Sequence, residues 1–270
     1  MRCGDARRDP AGASDAAGGI AVSYDASEGR VVPAGTIETD GPVRARAPWL
    51  RADGLRLGLL LLVWAAETGI LIGVGHGVVH SSTVNDFDHH VTSIVVAHRG
   101  PFLNALMKGV TWLGSWVAVV GAAGVLLVLS ARRMLPWIVT ILAVLAWGGE
   151  AGGVALAKHL VQRHRPPHHL WLVTAHGSSW PSGHTATAVV VFTVLAVVVL
   201  QLVHGVLFRA VTCTFAVLAV LAVGYSRVEL GVHWTTDVIA SVAFVATWLA
   251  AMVALLRRPA ASRRFEVSDG

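Results

Sequence analysis

The sequence predicts an all-α, polytopic integral membrane protein built as a bundle of six transmembrane helices. Hydrophobic residues fill 54% of its 270 positions and charged residues only 14%, a balance outside the usual range of soluble globular domains. Six mostly apolar stretches, about residues 55–79, 112–129, 136–157, 185–203, 206–224 and 237–256, are each long enough to cross a hydrocarbon core as a helix. Uninterrupted runs of this length exclude a β-barrel, the other fold that satisfies its backbone groups in lipid.

Residues 1–48 are rich in Ala, Gly, Asp, Ser and Arg and lack a sustained apolar period, so they are expected to form a disordered cytoplasmic tail. No apolar run follows the first basic residues, so no cleavable signal peptide is expected and the first span acts as the insertion signal. Residues 49–257 form the six-helix domain, and 258–270 a short cytoplasmic C-terminal tail. Between the first two spans, VTSIVVAHRGPFLNALMKG mixes apolar and basic residues around Gly100-Pro101, which predicts a short amphipathic segment along the membrane surface. Eleven arginines cluster at one set of span ends: Arg44, Arg46, Arg51, Arg56, Arg132, Arg133, Arg209, Arg257, Arg258, Arg263 and Arg264. Six basic residues (Arg99, Lys108, Lys158, Arg163, Arg165, Arg227) lie at the other, so both termini are expected in the cytoplasm. The net charge of +5 is spread over span ends instead of one basic stripe, which argues against a nucleic-acid partner. Cys3 and Cys213 fall in regions the bilayer should separate, so no structural disulfide is expected.

Three polar strings fall on the minority-charge side. KHLVQRHRPP holds Lys158 and Arg165, WPSGHTAT holds Ser182, Gly183 and His184, and SRVELGVHWTTD holds Ser226, Arg227, His233 and Asp237. Phosphate chemistry calls for these residue types. A phosphoryl group in transfer spreads charge over three oxygens, and fixed cations such as Lys158, Arg165 and Arg227 stabilise it. The Ser182-Gly183-His184 turn precedes an apolar helix, so its backbone N–H groups and the positive helix end can face an anion. His233 and Asp237 are four apart, a helical spacing that lets the carboxylate fix the ring's tautomer and leaves the other nitrogen free to attack phosphorus. His184 can protonate the leaving alkoxide and then activate water. Neither a metal nor another cofactor is required.

These strings resemble the tripartite signature of the type 2 phosphatidic acid phosphatase superfamily: Lys-x6-Arg-Pro, then Pro-Ser-Gly-His, then Ser-Arg-x5-His-x3-Asp. All three parts match in order and spacing, over about residues 55–257. The resemblance implies a six-helix fold, an extracytoplasmic site and a metal-free phosphohistidine route. By carry-over His233 is the nucleophile, His184 the acid and base, and Lys158, Arg165, Ser182, Gly183 and Arg227 the phosphate ligands. The expected substrate is a lipid phosphate or prenyl diphosphate, such as phosphatidic acid, phosphatidylglycerol phosphate or undecaprenyl diphosphate. The partners are that substrate and membrane lipids, with no expectation for oligomeric state.

A phosphotransferase that hands the phosphate to an alcohol is the alternative at the same site. A transporter or channel using the intramembrane Glu67 and Glu150 is the alternative of another class. Arg163 reads as an interfacial anchor. His159, His164, His168, His169 and His176 read as solvated loop residues instead of a zinc site, since no cysteine or acid accompanies them. Most of the ten tryptophans, Trp180 and Trp234 included, read as membrane-interface residues.

Overall fold

The structure, a computed structural model, describes residues 22–25, 30–33 and 49–256. The chain divides into Met1–Pro48 and Trp49–Gly270. In the first unit, β1 (Val22–Asp25) pairs antiparallel with β2 (Arg30–Pro33), with Val22 opposite Pro33 and Asp25 opposite Arg30. These two short strands fall within the stretch expected to form a disordered tail. Val22, Val31 and Val32 favour extended backbone, a preference the overall polar composition masked. The rest of the tail and the C-terminal segment 258–270 lie outside the described residues, as does Cys3; Cys213 is exposed and unbridged.

The described residues of the second unit form helices and the loops that join them, with no strand among them. Five helices are long and apolar enough to span alone: α1 (Trp49–His80), α5 (Trp137–Val161), α6 (Gly183–Leu202), α7 (Val206–Glu229) and α8 (Thr235–Leu256). The sixth crossing differs from the straight span expected over 112–129. It is a bent pair, α3 (Pro101–Val110) with a 3₁₀ turn at Thr111–Gly114, then α4 (Trp116–Ala131), the two arms meeting at 49°. Ser115 makes the break. Its backbone is extended, its Oγ donates to the Trp112 carbonyl at 2.7 Å, and it accepts from Val117 N–H at 3.2 Å as the cap of α4. The 16 residues of α4 reach only about 24 Å at 1.5 Å per residue, so the bent part is needed to complete the crossing.

The amphipathic segment expected along the surface divides between a separate helix and the first arm of that bent pair. α2 (Ser82–Ala97) starts at Ser81, whose Oγ accepts from Val84 N–H, and α3 restarts after Gly100 with Pro101 in its first turn. α2 packs on α7 and α8, and α3 on α7. At the centre of the bundle α6 touches α4, α5, α7 and α8, and Ala186, Ala188, Val190 and Val191 on it are fully buried. Tryptophans divide by position. Trp112, Trp116 and Trp137 are exposed near helix ends, as interface residues should be. Trp147, Trp180, Trp234 and Trp248 are buried, and the indole N–H groups of Trp180 and Trp248 donate to the carbonyls of Leu71 and Ala146 at 3.1 and 3.2 Å. For Trp180 and Trp234 this corrects the interface reading, because a buried indole needs only one partner for its N–H and contributes a large apolar area.

Candidate active site

The bundle brings the three strings to one end. Lys158 is in the last turn of α5, Arg165 in the loop after it, Ser182 caps α6, and Gly183 and His184 open that helix. Arg227 is in the last turn of α7 and Asp237 in the first turn of α8. His233 lies in the loop before α8, not on a helix with Asp237 as the spacing suggested. The contact forms anyway, because the loop folds back: Val232 N–H and His233 N–H both donate to the Arg227 carbonyl at 3.2 Å. Gly231 makes the fold possible with φ +73°, and a Cβ there would collide with the Leu170 carbonyl.

His233 is 2% exposed. Its Nδ1 lies 3.3 Å from Asp237 Oδ2, and its Nε2 lies 3.1 Å from Arg165 Nη1. A guanidinium has no acceptor, so Nε2 takes that bond with its lone pair and Nδ1 carries the proton donated to Asp237. Burial pulls the His233 pKa down to about 3, with the hydrogen bond and charge of Asp237 opposing. The ring is therefore neutral at pH 7, with its Nε2 lone pair accepting from a cation.

Asp237 is held on every side. Oδ1 accepts from Arg163 Nη1 at 2.7 Å, and Oδ2 accepts from Trp234 N–H at 2.9 Å and from the Ser179 hydroxyl. Its place in the first turn of α8 adds the positive helix end.

Backbone carbonyls set the cations in advance. Lys158 Nζ donates to Ser178 O at 2.8 Å. Arg165 donates to the carbonyls of Gly177 at 3.0 Å, His176 at 2.9 Å and Val232 at 2.6 Å. Burial lowers the Arg165 pKa and Asp237 opposes the shift, but a guanidinium stays charged at neutral pH. Arg227 Nη1 donates to Thr111 Oγ1, while its Nε is buried with no partner among protein groups. Lys158, Arg165 and Arg227 all act electrostatically on His184, and Lys158 and Arg227 on His233 as well. Two imidazoles and three cations thus converge.

The Pro181-Ser182-Gly183-His184 turn is pinned from α8. Ser182 N–H donates to the Asp237 carbonyl at 3.3 Å, and Ser241 Oγ donates to the Ser182 carbonyl at 3.0 Å. Ser182 Oγ accepts from Thr185 N–H, which leaves the N–H groups of Gly183 and His184 without intrahelical partners, as at any helix start. Gly114 backs the turn against the His184 carbonyl, where no Cβ would fit.

Sequence reasoning missed several participants. Arg163, read as an interfacial anchor, is 5% exposed and bonded to both Asp237 and Asp88. Its position between Lys158 and Arg165 in the first string was the available signal. Ser179, Thr111 and Asp88 carried none, since each reaches the site by tertiary packing.

Among the described residues no group of three or more His, Cys, Asp or Glu side chains could hold a metal ion. His159, His168 and His176 instead line an outer cleft of about 910 Å³ with Trp171. The cleft shares Lys158 and Arg165 with the site but includes neither His184 nor His233. Glu150 is buried on α5, and Glu67 is half-buried on α1.

A polytopic helical bundle with cations gathered around a neutral, carboxylate-held imidazole defines a membrane phosphatase. The PAP2 superfamily model matches residues 137–260, which contain all three strings. Phosphatidylglycerophosphatase B of Bacillus subtilis (strain 168) is 30% identical over 166 residues, 60% of this chain and 79% of that one. The crystal structure of a transmembrane PAP2-type phosphatidylglycerolphosphate phosphatase from Bacillus subtilis superposes with a TM-score of 0.60 at 24% identity. The superposition covers 72% of this chain and 97% of that one, and supports the fold. The chain belongs to the PAP2 superfamily and is a hydrolase of that membrane phosphatase class. Membership leaves the transporter alternative without support.

Proposed function

We propose that this enzyme hydrolyses the terminal phosphate of a lipid phosphate or prenyl diphosphate through a phosphohistidine on His233, without a metal. One observation carries the reading: His233 Nδ1 is held by Asp237 while Nε2 points at Arg165. With the phosphate's negative charge offsetting the three cations, His184 takes up a proton as substrate binds. The Nε2 lone pair of His233 then forms the N–P bond as the P–O bond to the lipid breaks, and the His184 imidazolium gives that proton to the departing oxygen. Water then attacks phosphorus, passing a proton back to His184, and the N–P bond breaks to release inorganic phosphate. Lys158, Arg165, Arg227, the Ser182 hydroxyl and the N–H groups at Gly183 and His184 bind the equatorial oxygens.

The lipid assignment is supported by the bilayer setting, where a site at the mouth of a bundle admits a headgroup while its chains stay in lipid. Phosphatidylglycerol phosphate is one candidate, given the name of the Bacillus relative. The charge bias supports termini in the cytoplasm and a site on the extracytoplasmic face. The test is phosphate release by purified protein in detergent with EDTA, comparing diacyl phosphates with prenyl mono- and diphosphates. Release that persists in EDTA and is blocked by vanadate is expected. Activity lost on chelation and restored by Zn²⁺ or Mg²⁺ would refute the metal-free route, and phosphate recovered on an added alcohol would make the enzyme a phosphotransferase.

A further inference from the structure

The catalytic strings leave one buried charge cluster unused. Asp88 on α2, Arg163 in the loop after α5 and Thr236 at the start of α8 come from three distant parts of the chain and meet directly behind Asp237. Asp88 is 1% exposed, Arg163 5% and Asp237 0%. The guanidinium divides its two ends. Nη1 donates to Asp237 Oδ1 at 2.7 Å and to Thr236 Oγ1 at 2.8 Å. Nη2 donates to Asp88 Oδ2 at 2.7 Å and to Asn85 Oδ1 at 3.2 Å. Asp88 closes the ring by accepting from Thr236 N–H at 3.0 Å and from the Thr236 hydroxyl. A carboxylate borrowed from α2 therefore satisfies one of the orphan N–H groups at the start of α8. The Trp234 ring lies 5.7 Å from the guanidinium carbon, and His89 of α2 meets that ring edge-on.

We propose that Asp88 and Arg163 are positioning residues that fix Asp237, and through it the tautomer and aim of His233. The inference rests on His233 being the nucleophile. Arg163 is not a further phosphate ligand: both its terminal nitrogens are committed to buried carboxylates, while Arg165 faces the ring. The bearing on His233 is short. Asp237 Oδ1 is held by Arg163, and that bond sets the plane in which Oδ2 meets His233 Nδ1. Without Arg163, two buried carboxylates remain with no cation between them. Asp237 then turns away from the ring or takes up a proton, and either outcome frees Nδ1–H from its acceptor. Neutralising Asp88 acts one bond further out, by releasing Thr236 N–H and one end of the guanidinium.

The experiment is a set of mutant cycles on full-length protein in detergent. Arg163→Gln and Asp88→Asn are each made alone and with Asp237→Asn. Single-turnover phosphoprotein formation from an aryl phosphate, KM for a lipid phosphate and the thermal midpoint are measured. Misorientation of a reacting group costs about 10²-fold, so each single variant is expected to slow phosphoprotein formation by about 10- to 100-fold, with KM changed by less than about threefold. With Asp237→Asn already present, neither should slow it further, because the path to His233 is already cut. Arg163→Lys, which keeps the charge, should recover part of the rate.

Three results overturn the proposal: single variants at the wild-type rate, rate losses that multiply with Asp237→Asn, or a rise in KM alone, which would mark a direct phosphate contact. If Arg163→Gln does not yield folded protein, the near-isosteric Asp88→Asn carries the cycle. Phosphoprotein trapped from His233→Ala would instead sink the nucleophile assignment beneath the proposal, a result these variants cannot mimic because they keep His233.

Discussion

Asp237→Asn replaces one carboxylate oxygen by an amide NH₂ at a position where every neighbour donates. On one side stands Arg163 Nη1, and on the other stand His233 Nδ1–H, Trp234 N–H and the Ser179 hydroxyl. Turned towards Arg163, the NH₂ opposes a cation that still has Asp88 and Thr236 to hold it. Turned the other way it opposes the fixed Trp234 N–H and requires His233 to accept at Nδ1, moving the ring proton to Nε2, where it faces Arg165. The first arrangement loses the charge that stabilises a phosphorylated ring, and the second loses the nucleophilic lone pair. A wrong tautomer or lost charge of this kind costs about 10² to 10⁴ in the chemical step. Stability should fall by only about 1–3 kcal/mol, less than for an orphaned buried ion, because Arg163 keeps Asp88. KM should stay within about threefold, since the three phosphate cations are untouched. Rapid-quench measurement of phosphoprotein with a lipid phosphate, alongside thermal unfolding in detergent, tests this. A variant that keeps the wild-type rate of phosphoprotein formation would refute the orienting role.

His233 should remain a competent nucleophile in acid. With its pKa pulled down to about 3 by burial, about 99% of it is neutral at pH 5, against about 3% for an imidazole titrating near 6.5. Protonation is what removes the lone pair, so a lowered pKa extends reactivity downwards. Phosphoprotein formation at saturating substrate, corrected for the substrate's own ionisation, should not drop by the roughly 25-fold between pH 7 and 5 that an ordinary histidine imposes. A midpoint near 6.5 tied to His233 would contradict this. For topology, a cysteine placed at position 169 in a background lacking Cys3 and Cys213 should react with an impermeant reagent added outside intact cells. Labelling only after the cytoplasmic side is opened would invert the assignment.

The site was legible where chemistry is packed into short strings. Lys158 and Arg165, Ser182 to His184, and Arg227, His233 and Asp237 are each fixed within a few residues by a helix end and its loop, so spacing alone predicts their proximity. The crossings were legible for the same reason, since hydropathy is local. What escaped was set by tertiary contact. The Arg163 bonds to Asp88 and Asp237 bridge 75 and 74 positions, and no periodicity records such pairs. The break at Ser115 hid inside an apolar run because a single capping hydroxyl barely changes hydropathy. Trp180 was misread because an indole that ends at a membrane surface and one that ends in a core have the same composition around them.

The central claim is that His233 carries the phosphoryl group while His184 only moves protons, and trapping the covalent intermediate tests it most directly. Wild type, His233→Ala and His184→Ala are quenched within milliseconds of mixing with a lipid phosphate or an activated aryl phosphate, and acid-labile, base-stable phosphoprotein is counted. His233→Ala should give none from either substrate. General-acid help is worth about 10² to 10⁴ and matters most for a poor leaving group, so His184→Ala should fail with the lipid yet accumulate phosphoprotein from the aryl phosphate. Phosphoprotein from His233→Ala, or a His184→Ala defect of equal size with both substrates, would contradict the account.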